Sequence, residues 1–114
     1  MARTVLVIDD SAAFRATARV LLQARGYEVV GVAGDVASGV AAAADLSPDC
    51  VLLDVNLPDG DGVEAARRFD GATVVLVSTL EASAVGDIEG SGASGFVTKA
   101  ELASPLLVEL LGAP

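Results

Sequence analysis

The feature that most constrains the fold of this chain is the regular alternation of short apolar runs with segments of helical spacing. Five apolar runs are rich in β-branched residues and short enough to be strands, at residues 4–8, 28–32, 50–53, 73–77 and 95–98. Several are apolar almost throughout, which is typical of parallel strands covered by helices on both faces. The sequence therefore predicts an α/β fold.

Helical segments are predicted between and after these runs, at residues 11–25, 35–46, 62–69, 81–90 and 101–111. Gly26 is expected to end the first helix, and Asp35 is expected to cap the second. The fourth segment is the weakest, because Gly86 and Gly90 each lower helix propensity by about 1 kcal/mol relative to alanine. Strand and helix thus repeat five times, which predicts a mostly parallel sheet with right-handed crossovers.

Length and charge limit the functions that this chain can have. The 114 residues are expected to form a single domain spanning 1–114. A net charge of −9 with only seven basic residues argues against direct nucleic-acid binding, which depends on clustered Lys and Arg. No apolar stretch approaches the roughly eighteen residues of a membrane span. We therefore expect no membrane insertion and, by default, a cytoplasmic location.

Polar and charged side chains stand where four of the predicted strands end: Asp9-Asp10, Asp54, Ser78-Thr79 and Lys99. In a parallel sheet these residues lie on one edge, which is where ligands of open α/β sheets bind. Carboxylates gathered there would repel one another, so positive charge must offset them. Lys99 supplies one charge, and a divalent cation would supply the rest. Oxygen ligands without His or Cys favour Mg²⁺ and its waters.

Each of these residues also has a purely structural interpretation. The Asp9-Asp10-Ser11 segment could cap the first helix, and Asp54 could open the PDGDG turn. The hydroxyls could be ordinary strand-end groups, and Lys99 could be a solvated lysine. Every interpretation is reasonable for one residue alone. Their joint placement on one sheet edge favours a shared site.

Taken in this order, the residues resemble the receiver domain of two-component response regulators over nearly the whole chain. The matching pieces are the acidic pair Asp9-Asp10, the DVNLPDGDG segment around Asp54, Ser78 at the end of the fourth strand, and Phe96-Val97-Thr98-Lys99 on the fifth. The resemblance implies a flavodoxin-like (βα)5 fold, whose five-stranded parallel sheet has the order 2-1-3-4-5 with helices on both faces.

The resemblance also implies a phosphoryl-transfer site. Asp54 would accept a phosphoryl group from the phosphohistidine of a sensor kinase, as a carboxylate nucleophile. Mg²⁺ would be bound by Asp10 and Asp54 directly, by Asp9 mainly through water, and by the backbone carbonyl of Asn56. Lys99 would pair with a phosphoryl oxygen. The chain would not be an enzyme beyond self-phosphorylation from a phosphodonor and slow autodephosphorylation.

Signalling by such a domain would depend on a conformational switch. Phosphorylation would draw the Ser78 hydroxyl inward and let Phe96 turn inward, changing the surface near the fourth helix and fifth strand. The implied partners are a sensor histidine kinase or phosphotransfer protein, and a downstream protein target or output domain. The resemblance also allows a phosphorylation-dependent dimer.

The chain departs from the family pattern in several places. Ala100 stands where the family usually has proline after the lysine, and Thr79 stands where a smaller residue is common. The stretch between Asp54 and Ser78 is shorter than in the family pattern, which predicts a shorter third helix. Two other functions are open: a phosphorylation-independent interaction module on the receiver fold, and a small flavin or nucleotide binder. Against the flavin or nucleotide binder, the chain has neither a GxxxxGK[ST] loop nor a GxGxxG motif after the first strand.

Overall fold

Five parallel strands form the central sheet in the computed structural model, which describes residues 2–80 and 85–114. They are β1 (Thr4–Ile8), β2 (Glu28–Ala33), β3 (Cys50–Asp54), β4 (Thr73–Ser78) and β5 (Gly95–Thr98). Each predicted apolar run is a strand, and each strand pairs in parallel with its neighbour. The sheet order β2-β1-β3-β4-β5 confirms the predicted flavodoxin-like arrangement 2-1-3-4-5.

The helices connect these strands across both faces of the sheet. They are α1 (Ala12–Ala24), α2 (Val36–Leu46), α3 (Gly62–Ala65), which a 3₁₀ turn at Ala66–Arg68 extends, and α4 (Pro105–Leu111). Further 3₁₀ turns lie at Glu89–Ser91 and Lys99–Glu101, and a small antiparallel hairpin pairs Asn56–Leu57 with Gly60–Asp61. None of the helices in the described ranges has the length and apolarity needed to cross a bilayer.

The core has two layers because successive residues of a strand face opposite sides of the sheet. On β1, Val5 and Val7 pack into the layer that contains α1 and α4, whereas Leu6 and Ile8 pack against α2 and α3. All four side chains are fully buried. The strands lack apolar-polar alternation for this reason, which confirms the predicted helices on both faces.

Local signals fix the ends of the first two helices. The Ser11 side chain accepts a hydrogen bond from the Phe14 N–H at 3.2 Å and caps α1, while Asp35 accepts one from the Ser38 N–H at 2.7 Å and caps α2. Gly26 follows α1 with φ +98°, a left-handed conformation that glycine adopts without strain. Both helices therefore begin where the capping residues predict.

The last helix begins later than the sequence predicts. The predicted helix at 101–111 is a 3₁₀ turn at Lys99–Glu101 followed by α4, which starts at Pro105. Ser104 is extended, with φ −77° and ψ 162°, because the proline ring disfavours helical geometry in the preceding residue. Proline itself is well placed in the first turn, where its missing N–H has no helical partner.

The predicted helix at 81–90 is only partly described. Residues 81–84 lie outside the described part of the chain, and residues 85–90 are not α-helical. Gly86 has φ +120°, which is incompatible with a right-handed helix, and only a 3₁₀ turn at Glu89–Ser91 follows. The helix prediction is therefore wrong for 85–90, because the positive φ of Gly86 interrupts the helix that the spacing predicted.

The chain makes a close backbone contact directly after β3. The Val55 N–H donates to the Val77 carbonyl at 3.0 Å, and the Gly62 N–H donates to the Val55 carbonyl at 2.7 Å. A Cβ atom on Gly62 would overlap the Asp54 carbonyl oxygen and would lie 2.8 Å from the Val55 Cα. The start of α3 can therefore rest on the end of β3 only if residue 62 is glycine.

We expect Gly62→Ala to lower the free energy of unfolding by about 1–3 kcal/mol, because the methyl group meets rigid backbone that must shift. Urea denaturation followed by circular dichroism would measure this loss. Gly60→Ala, two residues earlier in the hairpin, is the matched control, since a Cβ there would meet the Val36 side chain at an ordinary 3.5 Å. Equal stabilities of the two variants would contradict the steric explanation.

Candidate functional site

The carboxyl edge of the sheet brings together the charged residues that the sequence singled out. Asp9 follows β1, Asp54 is the last residue of β3, and Lys99 follows β5. Carboxylate oxygens of Asp9, Asp10 and Asp54 all lie within 4.8 Å of one another. Residues that are up to 90 positions apart in the chain thus form one cluster, because β1, β3, β4 and β5 end side by side.

Two of the three carboxylates are buried, and one lysine offsets their charge. Asp9 is 0% exposed and Asp54 is 5% exposed, whereas Asp10 is exposed. The Lys99 Nζ lies 2.8 Å from Asp9 Oδ2 and 4.0 Å from Asp54 Oδ2. Asp9 Oδ2 accepts no hydrogen bond beyond this ion pair within the described residues. One ammonium group cannot neutralise three carboxylates, and the cluster is a group that could hold a metal ion.

Backbone groups hold the two buried carboxylates in place. The Ser11 N–H donates to Asp9 Oδ1 at 2.8 Å, and the Asn56 N–H donates to Asp54 Oδ1 at 3.3 Å. Each aspartate thus bonds to the amide two residues further on, as Asp does in turns. The Arg15 guanidinium also donates to the Asp9 carbonyl at 2.6 Å. In both aspartates this leaves Oδ2 facing Lys99.

The environment of Asp54 raises its pKa to about 6, mainly because the carboxyl group is buried. The negative charge of Asp9 raises the pKa further, whereas the Asn56 N–H and the Lys99 ammonium lower it. The burial therefore outweighs the partners that favour the ionised form. A cation bound at the cluster would act in the opposite direction and favour the carboxylate.

The donor set fits a hard divalent cation. The clustered side chains offer carboxylate oxygens, and Mg²⁺ prefers oxygen ligands at about 2.0–2.1 Å. Carboxylate oxygens that lie within 4.8 Å of one another are close enough for one ion to bind more than one of them. Asp10 is exposed, which leaves the site open to solvent on one side.

The two predicted switch residues lie on neighbouring strands, where Ser78 pairs with Thr98 and Phe96 pairs with Leu76. Ser78 ends β4, is 3% exposed, and accepts a hydrogen bond from the Leu80 N–H at 3.0 Å. Ser78, Leu80 and Asn56 line one cavity of about 390 Å³. Phe96 is half-buried on β5 and packs against the core layer of α2 and α3. Thr79 is exposed.

The loop after Lys99 is held by contacts that the sequence analysis missed. None of the described peptide bonds is cis, including the one before Ala100. Glu101 Oε1 accepts hydrogen bonds from the Thr98 N–H at 3.1 Å and from the Thr98 hydroxyl at 3.0 Å. The spacing Thr-x-x-Glu in TKAE is a capping-box pattern, so the sequence did contain this signal.

Phe14 is a second residue that the sequence analysis did not assign to the site. Its ring centroid lies 4.2 Å from the Lys99 Nζ, within the range of a cation–π contact. In the sequence Phe14 is simply one apolar residue on the buried face of α1. No spacing or motif indicates that its ring faces a lysine 85 positions further along the chain.

Comparisons with known proteins agree with this geometry. The family model described as the response regulator receiver domain matches residues 5–111. A putative transcriptional regulator from Pseudomonas aeruginosa is 35% identical over 91% of this chain and 53% of its own length. The chemotaxis protein CheY of Bacillus subtilis is 32% identical over 87% of both chains. The response regulator domain of Thermotoga maritima CheB is similar in structure, with a TM-score of 0.84, 28% identity, and coverage of 96% and 94%.

The relatives differ in length from this chain. It spans about half the length of several transcriptional regulators that it matches, from 49% to 53%. It covers 87% of the Bacillus chemotaxis protein. The similarity therefore concerns the part of each relative that corresponds to these strands and helices.

We expect Asp54→Asn to stabilise the metal-free protein at pH 8 by about 2–3 kcal/mol, which corresponds to the rise of the Asp54 pKa from 3.8 to about 6. The folded state binds this proton more tightly than the unfolded state does. The contribution of Asp54 to stability is therefore complete below pH 4 and is lost as the pH rises through about 6.

Urea denaturation with chelator, at pH 4, 6 and 8, would measure this effect. The two proteins should be equally stable at pH 4 and should diverge as the pH rises. Asp45→Asn, which replaces an exposed carboxylate on α2, should stay close to wild type. A difference between Asp54→Asn and wild type that did not change with pH would contradict the assignment.

Proposed function

This chain belongs to the response regulator receiver domain family, and on that premise we propose that it is a phosphoacceptor whose Asp54 takes a phosphoryl group from the phosphohistidine of a sensor kinase. The observation that supports the proposal most is the convergence of Asp9, Asp10 and Asp54 with Lys99 on one sheet edge. A protein that served only as a scaffold would have no physical need for buried, repelling carboxylates there.

Asp54 would act as the nucleophile, since the Asn56 N–H holds its carboxylate beside the exposed Asp10. One Oδ atom would attack phosphorus, the bond from phosphorus to the donor nitrogen would break, and the imidazole would leave with that electron pair. Asp54 must be ionised for this step, and a pKa of about 6 leaves it mostly ionised at pH 7 and above. Phosphoryl transfer otherwise needs mainly positioning and charge neutralisation.

Lys99 and a bound Mg²⁺ would provide that neutralisation. We assign the ion to Asp10 and Asp54 directly, to Asp9 mainly through water, and to the backbone carbonyl of Asn56. When bound, Mg²⁺ would offset the charge of the carboxylates and of the incoming phosphoryl oxygens. The Lys99 ammonium, already 4.0 Å from Asp54 Oδ2, would pair with a phosphoryl oxygen.

Ser78 and Phe96 would convert this chemistry into a change of surface. The Ser78 hydroxyl oxygen now accepts the Leu80 N–H, and its own proton is available to a new phosphoryl oxygen. Movement of Ser78 toward Asp54 would free space for the half-buried Phe96 ring to turn inward. The surface of β5 and of residues 85–94 before it would then differ between the two states.

The biological role follows from these assignments. We propose a cytoplasmic signalling module, not an enzyme that turns over a metabolite, with residues 1–114 as one receiver domain. Its partners would be a sensor histidine kinase or phosphotransfer protein and a downstream target or output domain. Phosphorylation-dependent dimerisation is part of the proposal, whereas direct nucleic-acid binding is not, given the net charge of −9.

The phosphoacceptor role is tested by adding acetyl phosphate with Mg²⁺ and measuring the intact mass. We expect one added phosphoryl group on wild type and none on Asp54→Asn, because the substitution removes the nucleophilic oxygen while keeping the shape. Asp45→Asn, the exposed control on α2, should be phosphorylated like wild type. An unchanged mass with this donor and with the cognate kinase would favour the phosphorylation-independent interaction module.

The metal assignment is tested separately with Asp10→Asn. Asp10 is exposed, so we expect little change in stability but at least tenfold weaker Mg²⁺ binding, because one charged ligand is lost. Isothermal titration with MgCl₂ would measure the affinity, and the Mg²⁺ dependence of phosphorylation should shift by the same factor. Unchanged Mg²⁺ affinity would remove Asp10 from the ligand set.

A further inference from the structure

The Phe14 ring contacts Lys99, a residue of the proposed phosphoryl site. It lies in the first turn of α1, and its N–H donates to the Ser11 side chain at 3.2 Å, which ties the residue to the acidic pair just before the helix. From this geometry we propose that Phe14 is a positioning residue, whose ring holds the Lys99 ammonium at the edge of the site. The inference rests on the proposed phosphoacceptor function.

Among the described residues, three groups lie around the Lys99 ammonium. Asp9 Oδ2 lies at 2.8 Å, Asp54 Oδ2 lies at 4.0 Å, and the centroid of the Phe14 ring lies at 4.2 Å. The negative face of an aromatic ring attracts a cation without accepting its proton, so the ring can hold the ammonium without competing with a phosphoryl oxygen for a hydrogen bond. The carboxylates and the ring together define where Lys99 Nζ sits.

The ring also lies beside Lys99 at the protein surface. Phe14 and Lys99 line a cavity of about 350 Å³ between α1 and the segment at 99–103, together with Leu21 and Leu102. The Lys99 side chain is only 21% exposed. A smaller side chain at position 14 would remove the ring from beside the ammonium and leave more room for water there. Lys99 would then gain hydration by swinging outward, away from Asp54.

The backbone alone cannot hold Lys99 in this position. The capping box between Thr98 and Glu101 fixes the start of the 3₁₀ turn, but the lysine side chain still has four rotatable carbon-carbon bonds. Confining such a side chain costs conformational entropy unless contacts along its length compensate. The Phe14 ring supplies a contact at the charged end, where confinement matters for the reaction.

The test compares initial rates of phosphorylation by acetyl phosphate at saturating Mg²⁺. We expect Phe14→Leu to react about three- to tenfold more slowly, the range that a partly exposed cation–π contact implies. Phe14→Tyr keeps the ring face and should restore the rate to within about twofold of wild type. Phe69→Leu, the same change in the opposite core layer, should react at the wild-type rate once its folded fraction is taken into account.

A second comparison asks whether Phe14 acts through Lys99. In a Lys99→Met background, Phe14→Leu should cause no further loss of rate, because the group that it positions is absent. Proton NMR adds a direct readout: the Lys99 ε-methylene protons should be shielded by the ring in wild type and in Phe14→Tyr but not in Phe14→Leu.

The outcomes separate this inference from the proposed function. A wild-type protein that takes up no phosphoryl group overturns the proposed function. A phosphorylated wild type with an equally fast Phe14→Leu variant overturns only the role of Phe14. Equal slowing in the Leu and Tyr variants would also overturn it, because the loss would then come from packing and not from the ring face.

Discussion

The ion pair between Lys99 and Asp9 is the interaction on which the rest of the site depends. Asp9 is fully buried, and its Oδ2 lies 2.8 Å from the Lys99 Nζ. A buried carboxylate without a cation would be strongly destabilising, and Asp54 lies close enough to add its own repulsion. Lys99 comes from the far edge strand, so β1, β3 and β5 must all be in place before the charges balance.

Backbone hydrogen bonds hold the site in place, but the negative charge of its carboxylates is only partly neutralised. Backbone amides fix Asp9 and Asp54, and the absence of a Cβ at Gly62 lets α3 rest on the end of β3. Yet the pKa of Asp54 is raised to about 6, which shows that burial and Asp9 outweigh the favourable partners. A bound cation would stabilise such a site. Functional sites are often less stable than the rest of a protein for this kind of reason.

The fold was largely predictable because its signals are local. Each strand is a continuous apolar run, and the caps at Ser11 and Asp35 mark helix starts. The errors also have local causes. The late start of α4 follows from Pro105, and the missing helix at 85–90 follows from the left-handed Gly86. In both places the conformational limits of one residue were stronger than the apolar spacing around it.

The sequence by itself determined which residues meet, because parallel strands place Asp9, Asp54 and Lys99 at one edge wherever the strands end. Only the tertiary structure decided how they meet. Lys99 lies nearer to Asp9 than to Asp54, and the Phe14 ring covers its ammonium. These distances depend on how α1 packs beside the segment at 99–103, and on side-chain rotamers chosen by packing between residues far apart in the chain. Neither leaves a pattern in the sequence.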